Sequence, residues 1–368
     1  MRINIFQTAL SPILMLAIWL GGCQPPAASE KLAEVAADNT FNNPLLTSGA
    51  DPWAIFHEGN YYYIKSDASQ ITLMRTPDIT DLKNAETKII WTPPAGTDHS
   101  KNVWAPEIHH IDKQWYVYVA ADDGDNRNHR MFVLENTSQD PFEGVFELKS
   151  RIKTDAEDNW AIDGSVFAHQ DTLYFIWSGW EKPKVDVETQ CIYIARMSNP
   201  WTIDSERVVL SRPEREWERN WDYPDAWTPD APVYVNEGPQ MLKHGNKLHI
   251  IYSASGCWTP YYALGMLSTD QNSNLMDPEV WEKSSEPVFQ QSPKNGVYGT
   301  GHNSFFKSPD GTEDWILYHA NDDPADGCGG KRSPRAQKIA WTDNDTPIFG
   351  TPLPTSQLIK KPSGTLKE

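Results

Sequence analysis

The sequence predicts an all-β protein, a five-bladed β-propeller, and three observations carry that prediction. A strand of aromatic and apolar residues ending in a small or polar one recurs five times. Each copy is preceded by a polar turn and followed by another short apolar strand, so the unit is a hairpin plus a strand. No long helical periodicity intervenes, and the repeat length is about that of a propeller blade.

The chain has 368 residues, a length that by itself suggests two or three domains; the repeat argues for one. Arg2 opens the chain with positive charge, an apolar core runs from Ile13 to Leu20, and Leu20-Gly21-Gly22-Cys23 follows. The apolar run is too short for a membrane span and suits a signal peptide. Leu-Gly-Gly-Cys resembles a bacterial lipobox. The expectation is a lipoprotein signal over 1–22, lipidation at Cys23, a flexible tether over 23–40 and a five-bladed propeller domain over 41–368. This makes the protein an exported one, lipid-anchored to a bacterial cell envelope and touching the membrane only through its anchor. Gln24 after Cys23 favours outer-membrane sorting in a Gram-negative host.

The repeated strands are Tyr61–Ser66, Trp115–Ala120, Leu173–Ser178, Leu248–Ser253 and Trp315–Ala320. Their leading turns are Glu58-Gly59-Asn60, Asp112-Lys113-Gln114, Gln170-Asp171-Thr172, His244-Gly245-Asn246 and Pro309-Asp310-Gly311. The fourth interval is longer. Its excess, Glu214 to Pro232, is polar and Trp-rich and reads as a loop on one face.

In a propeller the innermost strands run beside one axis, so the residues that open them converge. Blade one opens with Asp51-Pro52-Trp53, blade two with Trp104-Ala105-Pro106-Glu107 and blade three with Ile162-Asp163-Gly164. Blade four opens with Asn236-Glu237-Gly238 and blade five with Gly301-His302-Asn303. One acid opening a strand ordinarily makes a turn hydrogen bond. Three in equivalent places, Asp51, Asp163 and Glu237, predict a shared acidic pocket. A protonated carboxyl beside an ionised one is what glycosidic bond cleavage requires, and crowding acids raises the pKa of one of them.

The formal net charge of −18 argues against a nucleic-acid partner, because phosphate would be repelled. The 16 Trp and 14 Tyr exceed what a core needs and suit sugar faces as well as strands. After Cys23 three cysteines remain, Cys191, Cys257 and Cys328. An exported protein permits a disulfide, and Cys257–Cys328 is one pairing open to it. No Cys/His spacing resembles a zinc site.

Ala50-Asp51-Pro52-Trp53, Trp104-Ala105-Pro106-Glu107, Ala161-Ile162-Asp163-Gly164, Asn236-Glu237-Gly238-Pro239 and Gly301-His302-Asn303-Ser304, in that order, resemble glycoside hydrolase family 43. The likeness runs from about Asn43 to Pro354. It implies an inverting mechanism with Asp51 as general base, Glu237 as general acid and Asp163 tuning Glu237. Inversion implies a separation of roughly 6.5–9.5 Å between base and acid. His129-Arg130-Met131, Trp177-Ser178-Gly179-Trp180, Tyr252-Ser253-Ala254-Ser255, Tyr298–His302 and Arg335-Ala336-Gln337 look most like the exo-acting α-1,5-L-arabinofuranosidases. By that likeness Trp104, Trp180, Arg335 and His302 contact the sugar. The substrate is then an arabinose-containing plant polysaccharide or oligosaccharide, handled by a monomer.

The likeness implies no organic cofactor. Some relatives carry calcium or another ion on the axis, which would make His302 a ligand. A β-xylosidase or an endo-arabinanase on the same scaffold is the alternative enzyme, and pocket depth separates exo from endo action. A non-catalytic carbohydrate-binding surface propeller is the alternative outside enzymes, and three retained acids argue against it.

Overall fold

The computed structural model describes residues 39–182, 189–221 and 232–365. The expected signal segment, Cys23 and the tether as far as residue 38 lie outside the described residues. So does 222–231 of the expected insertion.

Five antiparallel sheets form the body. Blade 1 comprises Trp53–His57, Asn60–Ser66, Ile71–Thr76 and Glu86–Trp91. Blade 2 comprises Lys101–Ile111, Gln114–Asp122, Arg130–Asn136 and Glu147–Ile152. Blade 3 runs Ala161–His169, Thr172–Trp180, Gln190–Asn199, with Thr202–Ile203 and Val208–Ser211 outside. Blade 4 is Asn236–His244, Lys247–Ala254, Ala263–Asp270 and Glu282–Lys283. Blade 5 is Tyr298–Lys307, Asp314–Asn321 and Ser333–Lys338. The first strand of each blade neighbours the first strand of the next, and the fifth returns to the first. That closed circuit is the five-bladed propeller the repeat predicts.

Closure uses both ends of the domain. Thr40–Phe41 pairs with Ile359–Lys360. Asn43 exchanges two side-chain hydrogen bonds with the Ala336 backbone, and Leu45 and Gly49 donate to the carbonyls of Pro334 and Arg332. The segment that leads into Asp51 is therefore fastened along the outer edge of blade 5. This removes a sheet edge that would otherwise be free to pair.

Each sheet buries both faces, and the hydrophobic core is divided into five clusters, one between each pair of adjacent blades. This explains why the repeated second strands read as unbroken apolar runs rather than as alternation. Tyr61, Trp115 and Trp315 open three of those strands and are fully or almost fully buried. Burying a large side chain of this kind stabilises the fold by about 1.5–3 kcal/mol.

The innermost strands share an irregularity at one end of the axis. Pairing with the second strand slips between Trp104 and Glu107, Ile162 and Ser165, Glu237 and Gln240, and Gly301 and Ser304. At that level Ala105, Asp163, Gly238 and His302 all have positive φ, as does Asp51 just before blade 1. A bulge of this kind re-aims side chains, and holding a non-glycine residue left-handed costs roughly 1–2 kcal/mol. Five such positions at one end of the ring mark a built site.

Candidate active site

The left-handed positions set the register. Asp51, Ala105, Asp163, Gly238 and His302 occupy equivalent places, so Glu237 and Trp104 stand one residue earlier on their strands. Glu107 stands two later, with Gln240. It lies a layer below, accepting from the Gln240 amide and facing His109 Nε2 at 2.9 Å. Glu107, which closes the blade-two motif, therefore stands outside the level of the other three acids.

The three remaining acids occupy different surroundings. Asp163 is 4% exposed and accepts from the Gly238 backbone N–H at 3.0 Å. That amide is available because Gly238 takes φ +56°, a conformation glycine adopts without strain. The bond joins Asp163 to the residue that follows Glu237. Glu237 Oε1 accepts from the Tyr262 hydroxyl at 2.8 Å. Tyr262 packs so closely on Gly301 that a Cβ there would lie 2.2 Å from the ring. Its ring stacks on His319, with centroids 5.6 Å apart and planes within 4°.

Asp51 is set among cationic and polar groups. Its Oδ1 lies 3.1 Å from Arg332 Nη1, 3.3 Å from His302 Nδ1 and 3.4 Å from His319 Nδ1. Its backbone N–H donates to His319 Nδ1 at 3.2 Å, which makes that ring a neutral acceptor and fixes the backbone at Asp51.

These surroundings push the acids apart electrostatically. Burial drives Glu237 up and the Asp163 charge adds to it; His302 and the Tyr262 hydroxyl oppose, and the outcome is a value of about 8. Burial also raises Asp163, with Asp51 and Glu107 adding to it against the His302 charge and the Gly238 amide. For Asp51 burial works in the same direction, but the His302 and Arg332 charges oppose and outweigh it. They hold the carboxyl well below the usual range. Burial alone would lower His302; the Asp51 carboxylate raises it most, with Asp163 and Glu237 adding to it. Burial lowers His319 to about 4. One carboxylate is kept ionised and one carboxyl kept protonated near neutrality, the pairing that general acid–base chemistry needs.

The expected sugar contacts fare unequally. Trp104 stands at the Glu237 level of blade 2 and is half-buried. It stacks on His129 at 4.0 Å, and His129 in turn pairs with the fully buried Asp122 at 2.9 Å. Trp180 is 4% exposed, stacked on Trp160 at 4.7 Å within the core between blades 2 and 3. The structure gives it a packing role there. Arg335 is fully buried; Nη2 donates to Asp322 at 2.6 Å, while Nε and Nη1 have no protein partner.

His302 does not sit in an ion cage. Its Nδ1 faces Asp51, and among the described residues no three His, Cys, Asp or Glu side chains are grouped to hold a metal. Calcium takes six to eight oxygens, more than the described side chains beside His302 supply by themselves.

Tyr262, His319 and Arg332 were not singled out by the sequence. His319 carried a signal: facing Gly301, it stands where the other blades place the small residues Ala120, Ser178 and Ser253 opposite Trp104, Ile162 and Glu237. Tyr262 and Arg332 arrive from loops and carried none. A disulfide joins Cys257 and Cys328, the pairing left open above, and Cys191 is buried in blade 3.

The described start of the expected insertion also differs from a surface loop. Glu218 is fully buried and accepts from the Glu214 and Arg215 amides, Asn236 Nδ2 and the Tyr252 hydroxyl, and it pairs with Lys283 at 2.8 Å. A buried charge is tolerable when so many donors surround it. Through Asn236 the insertion is fastened to the residue beside Glu237.

Comparison with known proteins agrees with this architecture. An extracellular exo-α-(1→5)-L-arabinofuranosidase of Streptomyces avermitilis is 34% identical over 363 residues, 96% of this chain and 70% of that protein. One of the same name from Streptomyces chartreusis is 36% identical over 284 residues, 76% of this chain and 82% of that protein. The crystal structure of an α-L-arabinofuranosidase from Lactobacillus brevis superposes with a TM-score of 0.77 at 33% identity. It covers 86% of this chain and 98% of that one. The family model for glycosyl hydrolases family 43 matches residues 41–347, and the chain belongs to that family.

Proposed function

We propose that the protein is an inverting exo-α-L-arabinofuranosidase that removes terminal arabinofuranosyl units from α-1,5-linked arabinan or arabino-oligosaccharides. The observation that carries the reading is the contrast between two acids at one end of the axis: Asp51 lies against Arg332 and His302, while Glu237 is bonded to the neutral Tyr262 hydroxyl and followed by the residue that binds Asp163. Glu237 gives its proton to the leaving glycosidic oxygen. Asp51 takes one from a water attacking the opposite face of the anomeric carbon. Asp163, bonded through the Gly238 amide, keeps Glu237 in place, and its negative charge helps keep the proton there. Tyr262, bonded to Glu237, stacks on His319, which accepts from the Asp51 backbone, so each acid has its own support; inversion calls for a separated pair with room for water. The chemistry calls for no cofactor. Trp104, half-buried at the level of Glu237, is the proposed sugar contact.

Incubation with linear α-1,5-arabinan tests this. Arabinose alone in the earliest samples, absent with Glu237→Ala, is the expected result. Early mixed oligosaccharides would mean endo action. Activity on xylobiose but not on arabinan would move the substrate to xylan.

We also propose export with lipidation at Cys23 and a catalytic unit of 41–368; relatives named extracellular support the export. Full-length protein expressed in a Gram-negative host should partition into detergent. Cys23→Ser should stay aqueous with activity unchanged, and equal partitioning of the two would remove the anchor.

A further inference from the structure

We infer that the Cys257–Cys328 disulfide is a positioning element of the active site: it locks together the two loops whose Tyr262 and Arg332 hold Glu237 and Asp51. The inference rests on the proposed roles of those two acids.

The loops are equivalent connections. Residues 255–262 follow the second strand of blade 4, and 322–332 follow the second strand of blade 5. Glu237 pairs in register with Ser253, and Gly301 with His319, so both second strands end at the level of the acids and both loops leave from that end. The disulfide connects them across adjacent blades, with Cα atoms 5.2 Å apart and a sequence separation of 71.

Each loop carries one group that touches a reacting acid. Tyr262, five residues after Cys257, donates to Glu237 at 2.8 Å. Arg332, four residues after Cys328, lies 3.1 Å from Asp51. Each loop is also tied down on its far side. Ser255 and Gly256 donate to the carbonyls of Glu218 and Asn220, and Trp258 Nε1 donates to the Trp221 carbonyl. Ser48 Oγ donates to the Gly330 carbonyl, and the Gly49 N–H donates to Arg332. The disulfide is the covalent link between these two halves.

The ring does not depend on it. Closure is made by Thr40–Phe41 against Ile359–Lys360 and by Asn43 against Ala336. The blade 5 loop contains Gly327, Gly329 and Gly330, residues that lose much conformational freedom when ordered. The cross-link therefore bears chiefly on the mouth of the site, where it limits how far Tyr262 and Arg332 can move apart.

The test is the Cys257→Ser/Cys328→Ser double variant, assayed where thermal melts show it fully folded. The substrates are arabinotriose and aryl α-L-arabinofuranosides with leaving groups of graded acidity. Expected is a fall in kcat of about 10- to 100-fold, the loss that a misplacement of about 1 Å causes, with KM little changed and a steeper dependence on leaving-group acidity. Tyr262→Phe should cost much less in the double variant than in the parent, because coupled residues are not additive. A lower melting temperature with unchanged kcat, or fully additive losses, would overturn the inference. Should the double variant not fold, wild-type protein reduced with dithiothreitol gives the same reading, its activity followed against titrated thiols. Glu237→Gln runs alongside. If it keeps full activity the assignment of the acid fails and the inference with it. If it is inactive while the disulfide variant is unimpaired, the inference alone fails.

Discussion

Glu237→Gln is expected to lower kcat on arabino-oligosaccharides by about 10²–10⁴-fold, the range that loss of a positioned proton donor produces, and yet to raise the melting temperature at pH 8. The two effects have one cause. A sugar alkoxide is a poor leaving group and needs the proton, so the loss should shrink on aryl arabinofuranosides whose phenol leaves readily. Stability follows from the same proton. In the unfolded chain the carboxyl titrates at its ordinary value of 4.5, and in the folded chain at about 8. Folding takes up a proton between those values, so the stability present below pH 4.5 is lost as pH rises through about 8. Glutamine does not titrate and escapes that loss. Melts at pH 4, 6 and 8 should show the variant close to the parent at pH 4 and ahead of it at pH 8. A variant that melts below the parent at every pH would mean that folded Glu237 is ionised and is not the acid.

That reading was within reach of the sequence because the acids sit on repeated strands. Once five copies such as Trp115–Ala120 and Trp315–Ala320 are aligned, the residues ahead of each hairpin must meet at the axis. What the alignment could not supply was the local backbone. Left-handed Asp51, Asp163 and His302 share their level with Ala105 and Gly238. This sets Glu237 one residue upstream and drops Glu107 to the layer below, where it pairs with Gln240 and His109. Apolar patterning is blind to a one-residue bulge. It is equally blind to loop contacts that form only when the ring closes, which is why Arg332 and Tyr262 were silent. Glu218 failed for another reason. An acid within Glu-Arg-Glu-Trp-Glu-Arg reads as solvated, and only the fold shows the donors that surround it. Trp180 stood in a motif that resembles the exo-acting arabinofuranosidases, but its ring is covered by Trp160.

Asp51→Asn is expected to abolish most activity, again by about 10²–10⁴-fold, and to shift stability in the opposite direction. Asparagine tolerates the left-handed backbone that Asp51 adopts at φ 51°, so the substitution isolates the charge. Asp51 is held below its ordinary 3.8 by His302 and Arg332 against the pull of burial. Its contribution to stability is therefore present above about pH 4 and is lost as pH falls below that value. Removing the charge leaves Arg332 and His302 without their counter-ion. The variant should lose about 1.5–3 kcal/mol at pH 7, the worth of a hydrogen bond to a charged group, and the difference should narrow on acidification. The role as base has its own test. Asp51→Gly opens space without straining the backbone, and azide is a nucleophile that needs no deprotonation. Azide should restore part of the turnover and give the inverted β-arabinofuranosyl azide, and a retained product would remove Asp51 from the role of base. Acids kept only for structure would lower the melting temperature at both positions. An ionised base and a protonated acid give opposite signs at neutral pH and above, and the two melting curves distinguish these cases without any substrate.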